Sequence, residues 1–106
     1  MKARIDAPFD AVITDVTDAL ESEGFGVLTD IDVQATFKKK LSEEIDQYRI
    51  LGACNPPLAH EGITAESDLG ALLPCNVVVY EADGEVVVSA VDPNQLIDLA
   101  DNSALD

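Results

Sequence analysis

Apolar residues recur with two different periods along this 106-residue chain, and the order of the periods predicts its secondary structure. Between Phe9 and Leu20 they follow spacings of three and four, which predicts an amphipathic helix that begins at Pro8 and ends near Gly24. A shorter helical pattern follows Asp32, which we expect to be its N-cap. The side chains of this second helix that we expect to face inward are Val33, Phe37 and Leu41.

Segments with a period of two, or with a continuous apolar run, predict five strands. Their expected positions are Lys2–Asp6, Phe25–Asp30, Tyr48–Cys54, a strand beginning with Val77–Val79, and Glu85–Val91. The dipeptide Asp83-Gly84 is typical of a tight hairpin turn and would join the last two strands.

A third helical stretch extends from Pro56 to Leu73, with expected breaks at Gly62 and Gly70, and a last helix is expected from Asp92. The predicted order is β-α-β-α-β-α-β-β-α. It indicates an α+β fold, with a mixed or antiparallel sheet and helices packed mainly on one face. The length and the absence of a linker or repeat predict a single domain over residues 1–106.

The charge of the chain indicates the solvent to which it is adapted. Twenty-one Asp and Glu residues against six Lys and Arg residues give a formal net charge of −15. The acidic residues are spread along almost the whole chain, and such a surface repels itself unless salt screens the charges. We interpret this composition as adaptation to a salt-rich cytosol, as in halophilic archaea.

The same composition excludes two classes of partner. Phosphate binding needs a basic stripe, and the one cluster of lysines, Lys38–Lys40, falls in the last turns of a predicted helix, where the helix dipole favours cations. We therefore expect no nucleic-acid partner. The apolar runs are short and no basic segment followed by an apolar stretch opens the chain, so we expect a cytoplasmic protein with no membrane partner.

The residues with the most distinctive chemistry are concentrated between Tyr48 and Tyr80. This segment holds both cysteines, the only histidine and three of the five prolines. Each cysteine is directly followed by an asparagine and lies where a strand is expected to end or begin. Asn55 and Pro56 match the N-cap and the first position of a helix. We therefore expect any functional site to be in this segment.

Several motifs in this order resemble the domain-of-unknown-function family 302. They are GFGVLTDIDV, YRILGACNPPLAHE, LLPCNVVVYE and VSAVDP, and the combination of GACNPPLAH with LLPCNVVV is specific. The resemblance implies a small α+β domain related to the TATA-binding-protein-like arrangement, which commonly self-associates. It implies no assigned activity or substrate. A hairpin of Val77–Val79 with Val86–Val88 offers a physical route to a homo-oligomer if its edge is exposed.

Two reactive sites fit the residues of the central segment. Cys54 could be the nucleophile of a thiol-dependent redox or transfer enzyme with His60 as its base, because the N-terminus of a helix lowers the pKa of a thiol. Alternatively, Cys54, His60 and Cys75 could bind a metal ion or haem, although the chain has no CxxC pair and the Cys-x5-His spacing is not a standard zinc-finger or zinc-ribbon pattern.

The interpretation that we favour is a non-catalytic module without a cofactor. The sequence has no paired-carboxylate, phosphate-loop or triad pattern, and free cysteines often pack as small apolar residues. Such a module would bind a small ligand near the loop that begins at Cys54. The candidate ligand-binding residues are Asn55, Pro56, Pro57 and Asn76.

The interpretation of the charge predicts that salt stabilises the protein. We expect the free energy of unfolding to increase from low salt to molar NaCl, because screening shortens the range of repulsion between carboxylates to about 3 Å at 1 M. Urea unfolding at a series of salt concentrations measures this dependence. Equal stability at low and at molar salt would show that the interpretation is wrong.

Overall fold

Five antiparallel strands form one sheet in residues 2–90, which are the residues that the computed structural model describes. The strands are β1 (Lys2–Ile5), β2 (Gly26–Asp32), β3 (Tyr48–Cys54), β4 (Cys75–Ala82) and β5 (Glu85–Ala90). Their order across the sheet is β1-β5-β4-β3-β2, and every neighbouring pair is antiparallel. The predicted α+β class is confirmed, and the sheet is antiparallel.

The connections between the strands are mostly helical. The helices are α1 (Phe9–Ser22), α2 (Val33–Leu41), α3 (Pro56–Ala65) and a 3-10 helix (Ser67–Leu72). The last two together join β3 to β4. The helix expected from Asp92 lies outside the described residues. Within residues 2–90, no helix is both long enough and apolar enough to cross a membrane.

The core lies between α1 and one face of the sheet. Phe9 and Val12 of α1 are buried and form one cluster with side chains of three strands. The strand residues in this cluster are Leu51, Val77, Val79, Val86 and Val88. Buried positions two residues apart on β4 and on β5 are what a strand with one face on a core requires. No charged or polar side chain of residues 2–90 is buried.

Three short-range signals form as predicted. The Asp32 carboxylate caps α2, because its Oδ1 accepts a hydrogen bond of 2.9 Å from the backbone N–H of Ala35. Asp83 and Gly84 have φ angles of 54° and 80°, the left-handed region that the tight turn between β4 and β5 needs. Gly24, with a φ of 86°, follows the end of α1.

The side chains of α2 do not form the buried face that their period predicts. Phe37 is 39% exposed, Leu41 is 63% exposed, and no residue of α2 is buried. A helical period shows which side chains share a face, but burial also needs a second surface against that face. The prediction of an inward face is therefore wrong for Phe37 and Leu41, whereas Val33 is half-buried.

The helical stretch after β3 breaks at a different place from the one predicted. α3 passes through Gly62 and ends at Ala65, because Glu66 adopts an extended backbone. A Cβ at Gly62 would lie 2.5 Å from Cδ2 of Leu69, so this glycine makes room for the 3-10 helix instead of ending α3. Gly70 also lies inside an element, the 3-10 helix.

The hairpin of β4 and β5 is not at an edge of the sheet. Both are inner strands, with β3 on one side and β1 on the other. Most of the valines that would form the proposed self-association edge are buried in the sheet, namely Val77, Val79, Val86, Val87 and Val88. The predicted route to a homo-oligomer through this hairpin is therefore wrong, and the edges are β1 and β2.

A bidentate ion pair joins the edge strand β2 to β3. Arg49 donates from Nε to Oδ1 of Asp30 at 2.7 Å, and its Nη2 donates to Oδ2 of the same carboxylate. The hydrogen bond from Arg49 holds the pKa of Asp30 below its usual value. Because both side chains are partly exposed, we expect the pair to contribute about 0.2–1 kcal/mol to stability.

Gly52 allows two neighbouring segments to pack directly on β3. A Cβ at this buried position would collide with Oγ1 of Thr29 on β2 and would lie 2.8 Å from Cγ of Pro74. The peptide bond between Leu73 and Pro74 is cis, and β4 begins at the next residue. The contact of Pro74 with Gly52 thus places the start of β4 against the end of β3.

We expect the substitution Gly52→Ala to lower the free energy of unfolding by about 1–3 kcal/mol, because the added methyl group overpacks this contact. The matched control is Gly26→Ala on the neighbouring strand, where no atom lies within 4 Å of an added Cβ. We expect the control to change stability by less than about 0.5 kcal/mol. Urea unfolding of both variants tests this, and equal losses would contradict the argument.

Candidate functional site

A cavity of about 410 Å³ lies where β3 ends and β4 begins. Its wall combines the ends of these strands with α3, the 3-10 helix and Phe25, the residue before β2. The described lining residues are Phe25, Ala53, Cys54, Asn55, Leu58, Ala59, Glu61, Gly62, Ala65, Leu69, Leu72, Leu73 and Cys75. Most of these side chains are apolar, and Leu58 is 61% exposed, so the cavity is open to solvent.

The beginning of α3 has the cap that the sequence predicts. Oδ1 of Asn55 accepts a hydrogen bond of 3.2 Å from the backbone N–H of Leu58, and its backbone carbonyl accepts one of 2.9 Å from Ala59. A Cβ at Gly24 would lie 3.2 Å from Nδ2 of Asn55, so the turn after α1 packs closely on this cap. These contacts hold α3 beside the end of β3.

The cap also removes the donors that would activate Cys54. The first two residues of α3 are Pro56 and Pro57, which have no backbone N–H. The N–H of Leu58 is already bonded to Asn55. The first turn of α3 therefore has no free backbone N–H to stabilise a thiolate. The helix N–H donors that the sequence analysis expects beside Cys54 are therefore absent from this turn, because the two prolines that begin the helix have none.

The outer wall of the cavity was not predicted from the sequence. Leu58, Gly62 and Ala65 follow helical spacings of four and three, so they share the face of α3 that lines the cavity. Leu69 of the 3-10 helix packs against Gly62 and continues this wall. The helical spacing of Leu58, Gly62 and Ala65 is visible in the sequence and would have indicated this wall. The expected helix break at Gly62 divides that pattern into two parts.

Both cysteines line the cavity. Cys54 is the last residue of β3, Cys75 is the first residue of β4, and both are free and partly buried. Cys75 pairs with Ala53 across the two strands, which places the cysteines one residue apart in register. Burial raises the pKa of the Cys75 thiol, and the nearby charge of an ionised Cys54 raises it further.

Of the other predicted site residues, Asn55 lines the cavity and the remaining four lie outside its described wall. His60 is exposed on α3 and is not a lining residue, so it is not brought to the cavity with the two cysteines. Pro56, Pro57 and Asn76 are also exposed and lie outside the lining, whereas Asn55 belongs to it. In residues 2–90, no group of three or more His, Cys, Asp or Glu side chains is placed to hold a metal ion.

Tyr48 and Tyr80 lie at the opposite end of β3 and β4 from the cavity. They pair directly across the two strands, and their rings stack with centroids 5.3 Å apart and planes inclined by 14°. The two tyrosines are therefore each other's packing partners and do not belong to the described lining of the cavity.

The environment of Cys75 predicts its reactivity. We expect iodoacetamide to modify Cys75 with a pH midpoint above that of the same thiol in the urea-unfolded chain, because the raised pKa disfavours the thiolate. In Cys54→Ser the midpoint should move to lower pH, since the second charge is absent. Peptide mass spectrometry of samples alkylated across a pH series measures both effects. A Cys75 that reacts faster at pH 8 in the folded chain would contradict the prediction.

Comparison with known proteins agrees with the fold and with the motifs. The family described as "Domain of unknown function DUF302" matches residues 1–106. The crystal structure of the uncharacterized conserved protein DUF302 from Bacillus stearothermophilus is similar, with a TM-score of 0.87 and 27% sequence identity over 99% of this chain and 82% of that one. A search of curated proteins found no match. Since the family matches over the whole sequence, the chain belongs to the domain-of-unknown-function family DUF302.

Proposed function

We propose that this chain is a non-catalytic module that binds a small apolar molecule in the cavity beside Cys54 and Asn55. The observation that carries the proposal is the cavity itself, whose volume of about 410 Å³ lies within the range of about 300–1,000 Å³ for small-molecule sites. Its wall is mainly apolar with few polar groups, which is the usual composition of such sites.

Burial of apolar surface provides the driving force for this binding. The wall exposes leucine and alanine side chains to solvent, and each square ångström of apolar surface that a ligand covers contributes about 25 cal/mol. The wall needs little rearrangement, because the cap at Asn55 and the contact of Gly62 with Leu69 already hold α3 and the 3-10 helix in place. A rigid wall reduces the entropy cost of binding.

The loop residues have separate roles in this proposal. Asn55 lines the cavity and orients α3 through its cap, whereas Pro56 and Pro57 set the direction of the loop from outside the wall. Asn76 pairs with Gly52 on β3 and is exposed outside the lining, so it is not a ligand-binding residue in this proposal. The proposed ligand site is thus the cavity lined by α3, and not the loop that begins at Cys54.

The thiol-dependent alternative and the metal or haem alternative remain predictions from the sequence. Both use Cys54 together with His60, and His60 is exposed outside the described wall of the cavity. The reactivity of Cys54 separates the alternatives. A thiol that is alkylated well below pH 8 in the folded protein would support the enzyme, and an inert one would remove it.

The proposed module is a single domain in a salt-rich cytoplasm. Its net charge of −15 and the absence of buried charged side chains in residues 2–90 support this setting. Self-association remains a prediction. The edge strand β2 supports it better than the β4–β5 hairpin does, because Leu28 is 66% exposed and Ile31 is 48% exposed on β2.

Filling the cavity tests the proposed function. We expect 1-octanol to shift the backbone amide signals of Gly62 and Leu69 in NMR titrations, with a Kd in the millimolar to high-micromolar range for so small a ligand. In Ala65→Phe the ring should occupy the cavity and weaken binding at least about tenfold, a loss of about 1.4 kcal/mol. The shift of these signals with ligand concentration gives the Kd of each variant.

The matched control is Thr64→Phe, because Thr64 is exposed on the same turn of α3 but does not line the cavity. This variant should bind 1-octanol as the parent protein does. Thermal unfolding of both variants verifies that they are folded. If octanol binds equally to both, or does not bind to the parent protein, the proposed function is wrong.

A further inference from the structure

The described wall of the cavity contains a carboxylate and no cationic side chain. From this arrangement we infer that the cavity takes apolar molecules that are neutral or carry an ammonium group, and that it excludes carboxylates and other anions. The inference rests on the proposed function and deepens it, since it concerns which class of small molecule the same cavity binds.

Glu61 is the ionisable carboxylate of the wall. It lies one turn after Leu58 on α3, and both side chains line the cavity. Within residues 2–90, Glu61 has no hydrogen bond or ion pair with another side chain. An ammonium group of a ligand would form a charge-assisted hydrogen bond with this free carboxylate, whereas a carboxylate in the same place would be repelled.

The N-terminus of α3 cannot replace the missing cation. A helix N-terminus normally binds anions through its free backbone N–H groups and its dipole. Here Pro56 and Pro57 have no N–H, and the N–H of Leu58 is bonded to Oδ1 of Asn55. An anion in this cavity would therefore receive no backbone N–H donor from the first turn of α3, and the side-chain amide of Asn55, which lines the cavity, carries no positive charge to offset Glu61.

The other cations of the described chain are placed away from the cavity or are already paired. Arg49 is held by Asp30 between β2 and β3. Lys2 and Arg4 lie on the edge strand β1, which does not contribute to the wall, and Arg4 is 4.0 Å from Glu85. Lys38–Lys40 belong to α2, which does not contribute to the wall. The net charge of −15 adds a long-range potential that attracts cations and repels anions.

Three probes with the same eight-carbon chain test the inference, namely 1-octanol, octylamine and octanoate. At pH 7 they are neutral, cationic and anionic. The measurements are made at the lowest salt at which the protein is folded. We expect octylamine to bind about fivefold more tightly than octanol, because it forms one solvent-exposed ion pair. We expect octanoate to bind at least about fivefold more weakly than octanol. The amide signals of Gly62 and Leu69 report binding for each probe.

Two charge-neutralising variants separate the local carboxylate from the general acidity of the surface. Glu61→Gln retains the shape of the side chain, so octylamine should lose its advantage while the affinity for octanol stays the same. Asp18→Asn removes one exposed charge from α1, outside the cavity, and should leave the advantage of octylamine unchanged. Octylamine binding to the wall should also be at least about tenfold weaker in Ala65→Phe, as for octanol.

The outcomes distinguish this inference from the proposed function on which it rests. If octanol binds in the cavity but octanoate binds as tightly, or the advantage of octylamine survives Glu61→Gln, the inference is wrong and the proposed function stands. If Ala65→Phe weakens the binding of none of the three probes, both the inference and the proposed function are wrong. Weak octanoate binding, together with an octylamine advantage that depends on Glu61, supports both.

Discussion

The pairing of β3 with β4 is the contact from which both the core and the cavity follow. Its register places Leu51 opposite Val77 in the core that α1 covers, and it places Ala53 opposite Cys75 where the cavity begins. Because successive residues of a strand face opposite sides, a shift of one residue would remove the core side chains and the cavity wall together. Two contacts besides the backbone hydrogen bonds support this register. At the end near the cavity, the absence of a side chain on Gly52 lets Pro74 pack on β3, and at the opposite end the rings of Tyr48 and Tyr80 stack.

The parts of the fold that depend on neighbouring residues were predictable from the sequence, and those that depend on distant surfaces were not. The Asp32 cap, the Asn55-Pro56 helix start and the Asp83-Gly84 turn each need only a few adjacent residues, and all three formed. The burial of α2 and the position of the β4–β5 hairpin in the sheet depend on which element packs beside them. No local pattern contains this information, so the expected inward face of α2 and the expected free edge of the hairpin were both wrong.

The candidate site shows the same division between local and distant information. The sequence identified the correct segment, and Cys54, Asn55 and Cys75 do line the cavity. It did not identify the wall, because a 3-10 helix packs on α3 only where Gly62 allows Leu69 to approach. A glycine inside a helical pattern is equally compatible with a break and with a close contact, and only the distance to the neighbouring element distinguishes them. His60 has the chemistry of a base and lies one to two turns into the helix, but neither property determines its face, and it lies exposed outside the described wall.

An apolar cavity in so acidic a chain responds to salt in two opposite ways. Salt shortens the range of the attraction between Glu61 and a cation, because the Debye length falls from about 10 Å at 0.1 M to about 3 Å at 1 M. Kosmotropic salts, in contrast, strengthen the burial of apolar surface. The first turn of α3 offers an anion no backbone N–H donor from Pro56 or Pro57, and screening by salt does not change this. At high salt the proposed selectivity of the cavity therefore depends less on the charge of Glu61 and more on the backbone donors that Pro56 and Pro57 lack.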